Sequence, residues 1–207
     1  MMAIWLCITY CSQSTLHRPG FTGEDLYAIS NRLVAGFGGL KAIREKSPFW
    51  LQNAIDLALV TAQRRTDILS MRFDGVREGF LYVVQQKTAK ASDAAWIRFK
   101  VTEELQAVIS RCRDDIVSPY LIHRRPDRKK QKQAQTKDHW TQVEERYLTR
   151  AFKEAREVAG CYKGWKEEEM PGFHEVRALS LHLYQKAGKC ELAADLAPTR
   201  TLQEIPS

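Results

Sequence analysis

Paired cysteines are missing from this sequence. Its five cysteines, Cys7, Cys11, Cys112, Cys161 and Cys190, are an odd number at irregular spacings, and none forms a C-x-x-C pair. A disulfide framework is thereby excluded, zinc finds no paired thiolates, and free thiols in a reducing cytosol are expected. Long apolar runs are missing too. The opening MMAIWLCITYC is only eleven residues long, well short of the ~20 that a membrane span needs. It has neither a basic leading region nor a small-residue cleavage site, so it is not a secretory signal either. No internal repeat is visible, which argues against a solenoid. A soluble intracellular protein without membrane contact is the expectation, with residues 1–20 as a short unassigned leader.

Core-forming residues and positive charge are plentiful. Hydrophobic residues make up 44% of 207 positions, enough to bury one good-sized domain and too many for a disordered chain. Lys and Arg number 32 against 25 Asp and Glu, a net charge of +7 with an isoelectric point near 9.2. That balance favours a polyanionic partner, nucleic acid ahead of a membrane surface, although an ordinary basic globule has the same composition.

The hydrophobic pattern is mostly helical. Thr22 is placed to cap a helix with Leu26, Ile29 and Leu33 on one face, ended by the glycines of GFGGL. Leu51, Ala54, Ile55, Ala58, Leu59 and Ala62 recur at helical spacing and predict a buried helix. The period breaks at TAQRRTD, where Thr66 is placed to cap a second, short helix through Met71. Arg64 therefore falls at a junction between two helices. GFLYVVQQ (Gly79 to Gln86) and AWIRFKV are rich in strand formers, the second alternating Ile97, Phe99 and Val101 against Arg98 and Lys100. KTAKASD between them suits a hairpin loop, with Lys87 at its first bend. A helix capped by Thr102 follows, with Leu105, Val108, Ile109 and Cys112 inward.

Arg124 to His139 holds seven Lys and Arg and no large apolar residue. It is either a solvated excursion or a phosphate-contacting loop, with Arg124, Arg125, Arg128, Lys129 and Lys130 as its candidate contacts. Thr141 and Glu144 have capping-box spacing before a helix lined by Val143, Tyr147, Leu148, Ala151, Phe152 and Ala155 and stopped by Gly160. The last helix buries Val176, Leu179, Leu183 and Ala187. The fold class expected is α+β, mainly α, with one small antiparallel sheet.

Arg64, Lys87, His174 and Arg177 stand at element junctions or beside breaks in the pattern. His174 and Arg177 are three apart, a spacing that shares one helix face, and Asp67 follows Arg64 by three. Singly, each has a plainer reading: a surface arginine, a solvated hairpin lysine, a histidine bonding locally. Together they suit a phosphate. Two guanidiniums offer fixed forks of donors that stay charged at all pH values, and a lysine and an imidazole can trade protons. Metal binding by His174, Glu175 and His182 fits poorly, because zinc-protease spacing wants a histidine at position 178, which is Ala.

TAQRRTDILSMRF, then QQKTAK, then FHEVRALSLHLYQKAG resemble, in order, the catalytic domain of the tyrosine recombinases, and within them the integrases of lambda-like phages. The likeness runs from about Phe21 to Gly188, which sets residues 21–188 as an integrase-like catalytic domain and 189–207 as a divergent tail. It implies that Arg64 is the first catalytic arginine with Asp67 supporting it. It implies that Lys87 protonates the leaving 5′ oxygen, and that His174 and Arg177 form the His-x-x-Arg pair. No metal or cofactor is implied. The implied partners are double-stranded DNA carrying an attachment-site-like sequence and other protomers in a tetrameric synapse. The implied setting is the nucleoid of a bacterial cell.

In the family a Leu-Gly-His-like motif and then a nucleophilic tyrosine follow the His-x-x-Arg helix. Here KCELAADLAPTRTLQEIPS follows Gly188, with no His, Trp or Tyr. Tyr184 is the one tyrosine past Arg177, and its place on the buried edge of the last helix makes it a core residue. The expectation is a defective prophage-type integrase that lacks its nucleophile and the family's preceding DNA-binding domains, or a DNA-binding remnant without catalysis.

Overall fold

The helix predicted from Leu51 to Ala62 forms over Phe49–Thr61 and becomes the centre of the fold. The structure, a computed structural model, describes residues 38–85, 96–126 and 137–186. In chain order these contain α1, described from 38 to 46, α2 (Phe49–Thr61), α3 (Arg65–Ser70), β1 (Val76–Arg77), β2 (Phe80–Val84) and β3 (Trp96–Lys100). α4 (Glu103–Cys112), α5 (Glu145–Ala159) and α6 (Glu175–Lys186) follow. The helix expected from Thr22, the hairpin loop with Lys87, the residues Arg128, Lys129 and Lys130, and the stretches 1–20 and 189–207 lie outside the described residues.

α2 is buried on nearly every side, with Leu51, Ala54, Ile55, Leu57 and Ala58 at 1% exposure or less. It packs on α3, α4, α5 and α6. One carboxylate locks three helices together. Asp56, 8% exposed, receives two hydrogen bonds from Arg44 of α1, each 2.7 Å, and a third from Arg111 of α4. The bidentate contact raises the Arg44 guanidinium above its ordinary value.

The sheet is antiparallel in the order β1-β2-β3, with Leu81 opposite Phe99 and Val83 opposite Ile97. Leu81, Val83 and Phe99 face the core, as alternation predicts. The other face is covered by cations lying on rings: Arg98 over Phe80 at 5.0 Å and Arg77 over Tyr82 at 4.6 Å. β1 is an addition that the sequence concealed. It is two residues long and turns into β2 through Glu78 and Gly79, both at positive φ, a tight hairpin turn without the usual Asn or Asp at its first position.

α4 matches its prediction. The Thr102 side chain accepts from the Leu105 amide, and Leu105, Val108, Ile109 and Cys112 are buried. Gly160 ends α5 in the left-handed conformation at φ 62. Two predicted caps are corrected. Thr66 lies inside α3, whose preceding cap position is Arg64 without a side-chain cap bond, because the chain leaves α2 so abruptly that the next helix restarts early. Thr141 is fully buried, and its hydroxyl bonds Ser118 Oγ and His139 Nδ1, each at 2.7 Å. Glu144 occupies the cap position of α5 instead. Among the described residues no helix is long and apolar enough to cross a membrane.

The shared carboxylate yields a stability prediction. Asp56→Asn removes the charge between two largely buried arginines, and unfolding in urea should show a loss of about 3 kcal/mol. A loss under ~0.5 kcal/mol, the usual surface value, would show that the triad does not hold the helices.

Candidate functional site

The site begins where α2 ends. A helix leaves its last four carbonyls without helical partners, and all four are satisfied here. The Ala62 amide donates to Ala58 O at 2.9 Å. Ser180 Oγ of α6 donates to Leu59 O at 2.6 Å, and the Tyr184 hydroxyl donates to Val60 O at 2.7 Å. Gln63 Nε2 donates to Thr61 O at 3.2 Å. α6 is thus bolted to the end of α2 by two hydroxyls from more than a hundred residues along the chain. Ala62 adopts the left-handed conformation, φ 51, which costs a non-glycine residue of order 1 kcal/mol. That strained residue ends the helix, and the chain passes through buried Gln63 to Arg64, whose backbone is extended.

Arg64 is half-buried, and its Nη1 is shielded from solvent with no hydrogen-bond partner among the described residues. Asp67 is wholly buried in the first turn of α3. Arg177 comes in from α6. Burial and then the like charge of Arg64 push its guanidinium below the ordinary value, while Asp67 pushes it back up. Arg64, Asp67 and Arg177 are therefore brought within electrostatic reach of one another. The C-terminal end of α2 carries partial negative charge, and with Asp67 it offsets the repulsion between two cations. A buried donor without a partner is costly in a native fold. An arrangement of two forked cations and a supporting carboxylate is completed by an anion with several oxygens, a phosphate above all.

His174 stands apart from that trio. It precedes α6, its side chain is 83% exposed, and Nε2 lies 2.8 Å from Glu175 Oε1. The one-face relation expected with Arg177 therefore gives way to two environments, a solvent-facing imidazole and an inward guanidinium. Glu175 is itself fixed, because its Oε2 accepts from the Gly172 amide at 2.8 Å. Lys87 lies outside the described residues. Of the basic loop, Arg125 is exposed, and Arg124 stacks on the Tyr147 ring at 4.1 Å, with Arg150 over the same ring at 5.1 Å.

Three side chains that the sequence reading passed over shape the site. Arg65 donates to Glu145 Oε2 at 2.6 and 3.0 Å and to Thr149 at 2.7 Å, tying the arginine junction to α5. Gln63 and Gln85 meet in the interior. Their only signal was position, each close to a singled-out cation. A cavity of about 340 Å³ lies elsewhere, lined by Leu40, Ile43, Phe152, Tyr162, Trp165 and Glu175 among others, and by none of Arg64, Asp67 or Arg177.

A model described as the phage integrase family matches residues 39–197. The integrase of Enterobacteria phage P21 is 36% identical over 151 residues, covering 72% of this chain and 37% of that protein. The chain spans little more than a third of the length of the curated relatives that it matches. The solved lambda integrase catalytic core superposes with a TM-score of 0.59 at 24% identity, over 77% of this chain and 86% of that one. A lambda integrase tetramer bound to a Holliday junction does so with a TM-score of 0.58 at 22% identity, over 94% and 51%. At those identities the structures speak to fold alone.

Tyr184 provides the prediction here. Burial pushes its hydroxyl above the ordinary value, the opposite of what a nucleophile requires, and the hydroxyl is committed to Val60. Tyr184→Phe should cost about 1–2 kcal/mol in urea unfolding by orphaning that carbonyl. A stability equal to wild type would show that the α2–α6 bolt does not depend on it.

Proposed function

The chain belongs to the phage integrase family, and from that premise we propose that it is the catalytic-domain portion of a site-specific DNA recombinase that grips one phosphodiester of a duplex. The observation that carries this reading is the buried Nη1 of Arg64, without a hydrogen-bond partner among the described residues and within electrostatic reach of Arg177. In strand cleavage of this type a tyrosine oxygen bonds to phosphorus, the bond from phosphorus to the 5′ oxygen breaks, and that oxygen takes up a proton. Arg64 and Arg177 would neutralise charge on the non-bridging oxygens, with Asp67 holding them. Lys87 would supply the proton, and exposed His174, oriented by Glu175, would share in proton transfer. The two arginines do the charge work that a metal does in other phosphoryl-transfer sites.

Among the described residues, none after Arg177 fills the role of nucleophile. The 207 residues contain no tyrosine after Arg177 except Tyr184, whose hydroxyl is held by Val60. These residues would accordingly bind and polarise a phosphodiester, as the catalytic domain of a prophage-type integrase does, without themselves supplying the group that cuts it. Residues 21–188 form its catalytic unit, and double-stranded DNA in the nucleoid is its partner. The basic stretch from Arg124, with Arg125, Arg128, Lys129 and Lys130, adds phosphate contacts. The lambda integrase tetramer on a Holliday junction supports assembly with further integrase protomers. The reading as a DNA-binding remnant coincides with this one for every measurement except cleavage by a polypeptide that supplies a tyrosine.

Binding to duplex DNA should weaken with salt in proportion to the phosphates contacted. Arg64→Ala and Arg177→Ala should each lower affinity roughly ten- to hundred-fold and reduce the salt slope by about one. Nicked DNA carrying covalently bound protein should not form. Salt-independent binding, or binding indifferent to both arginines, would refute the proposal.

A further inference from the structure

The outer face of the sheet has no part in gripping the phosphodiester. The register sets Phe80 of β2 opposite Arg77 of β1 on one side and Lys100 of β3 on the other, and Tyr82 opposite Arg98. Opposed residues of an antiparallel pair share a face, as do positions two apart along a strand. Arg77, Phe80, Lys100, Tyr82 and Arg98 therefore lie on one surface, two rings among three cations. The ring centroids are 6.4 Å apart. Each ring carries a guanidinium from a neighbouring strand, Arg77 over Tyr82 at 4.6 Å and Arg98 over Phe80 at 5.0 Å. Arg77, Arg98 and Lys100 are exposed, and Phe80 and Tyr82 are half-buried.

Other arginines of the fold meet carboxylates: Arg44 and Arg111 pair with Asp56, Arg65 with Glu145 and Arg72 with Asp74. On this face no ion pair or side-chain hydrogen bond joins Arg77, Arg98 or Lys100 to another described residue. A guanidinium lying flat on a ring keeps its second face and its in-plane N–H donors available. We propose that the outer face of the sheet is a docking surface for single-stranded nucleic acid, separate from the Arg64–Arg177 junction. Unstacked bases lie on the open faces of Arg77 and Arg98, while the guanidinium edges and Lys100 take the phosphates between them. Successive rows of the face are about 7 Å apart along β2, which is the reach of one extended nucleotide. A duplex suits the face less well, because its base faces are hidden within its own stack. An acidic peptide would use the charge and leave the flat stacked surface idle.

The test uses the full chain and a fluorescent oligothymidylate of about ten nucleotides, within the usual span of a stacking platform, followed by anisotropy. A duplex of the same length and a polyglutamate peptide are the comparison probes. Arg77→Ala and Arg98→Ala should each weaken the single strand about tenfold and lower its salt slope by roughly 0.7. Duplex binding should be unchanged by either, whereas Arg64→Ala should weaken the duplex and spare the single strand. Tyr82→Leu removes a ring and keeps every charge. It should weaken the single strand without moving the salt slope, a result that a purely electrostatic patch would not produce. Both arginines are exposed, so Arg77→Ala and Arg98→Ala should melt at the wild-type temperature, which separates lost binding from lost folding. Single-strand affinity indifferent to both arginines would overturn the inference. So would polyglutamate that competes as well as oligothymidylate, or a duplex equally sensitive to Arg77→Ala and Arg98→Ala.

Discussion

Everything at the candidate site depends on how one helix ends. The last four carbonyls of α2 must find donors, and two of the donors are hydroxyls of α6. This requirement presses α6 against the junction that carries Arg64, and so brings Arg177 within electrostatic reach of it. The negative end of α2 and the buried Asp67 then make two neighbouring cations tolerable. The two hydroxyls also help to set the register of α6 on α2, beside the packing of Val176 and Leu179 in the core.

The surrounding fold keeps that junction rigid. The Asp56 triad ties α1 and α4 to the flank of α2, and Arg65 ties α3 to α5. The small sheet reaches the same place through Gln85. Each of these contacts joins distant parts of the chain, so the site is held from several directions by groups that do not belong to it. His174 is the exception, an exposed imidazole at the mouth of α6. Exposure suits a group that exchanges protons with an incoming substrate.

What could be read from the sequence was whatever local periodicity and residue type determine. The stripe from Leu51 to Ala62, the alternation through Phe99 and the Thr102 cap all took the form expected, because apolar spacing and hydroxyl chemistry act over a few residues. The resemblance led to the family through three ordered stretches. Thr66 and Thr141 were misjudged as caps for different reasons: the helix after Arg64 begins before Thr66, and tertiary hydrogen bonds to Ser118 and His139 hold the Thr141 hydroxyl. β1 escaped notice because two residues carry no period. The meeting of Gln63 with Gln85, and of Ser180 and Tyr184 with the end of α2, had no local signature. Such bonds link residues 22 to 124 apart in sequence, and only the folded chain brings them together.

The central claim is that Arg64 and Arg177 together form a phosphate site. The most direct measurement is a titration of the chain with inorganic phosphate, followed through the side-chain nitrogen signals of its arginines by NMR. The account predicts that the Arg64 and Arg177 signals shift together and saturate at one common affinity, while exposed Arg150 shifts weakly and without saturation. Signals of Arg64 and Arg177 that stay still, or that move independently of one another, would contradict it.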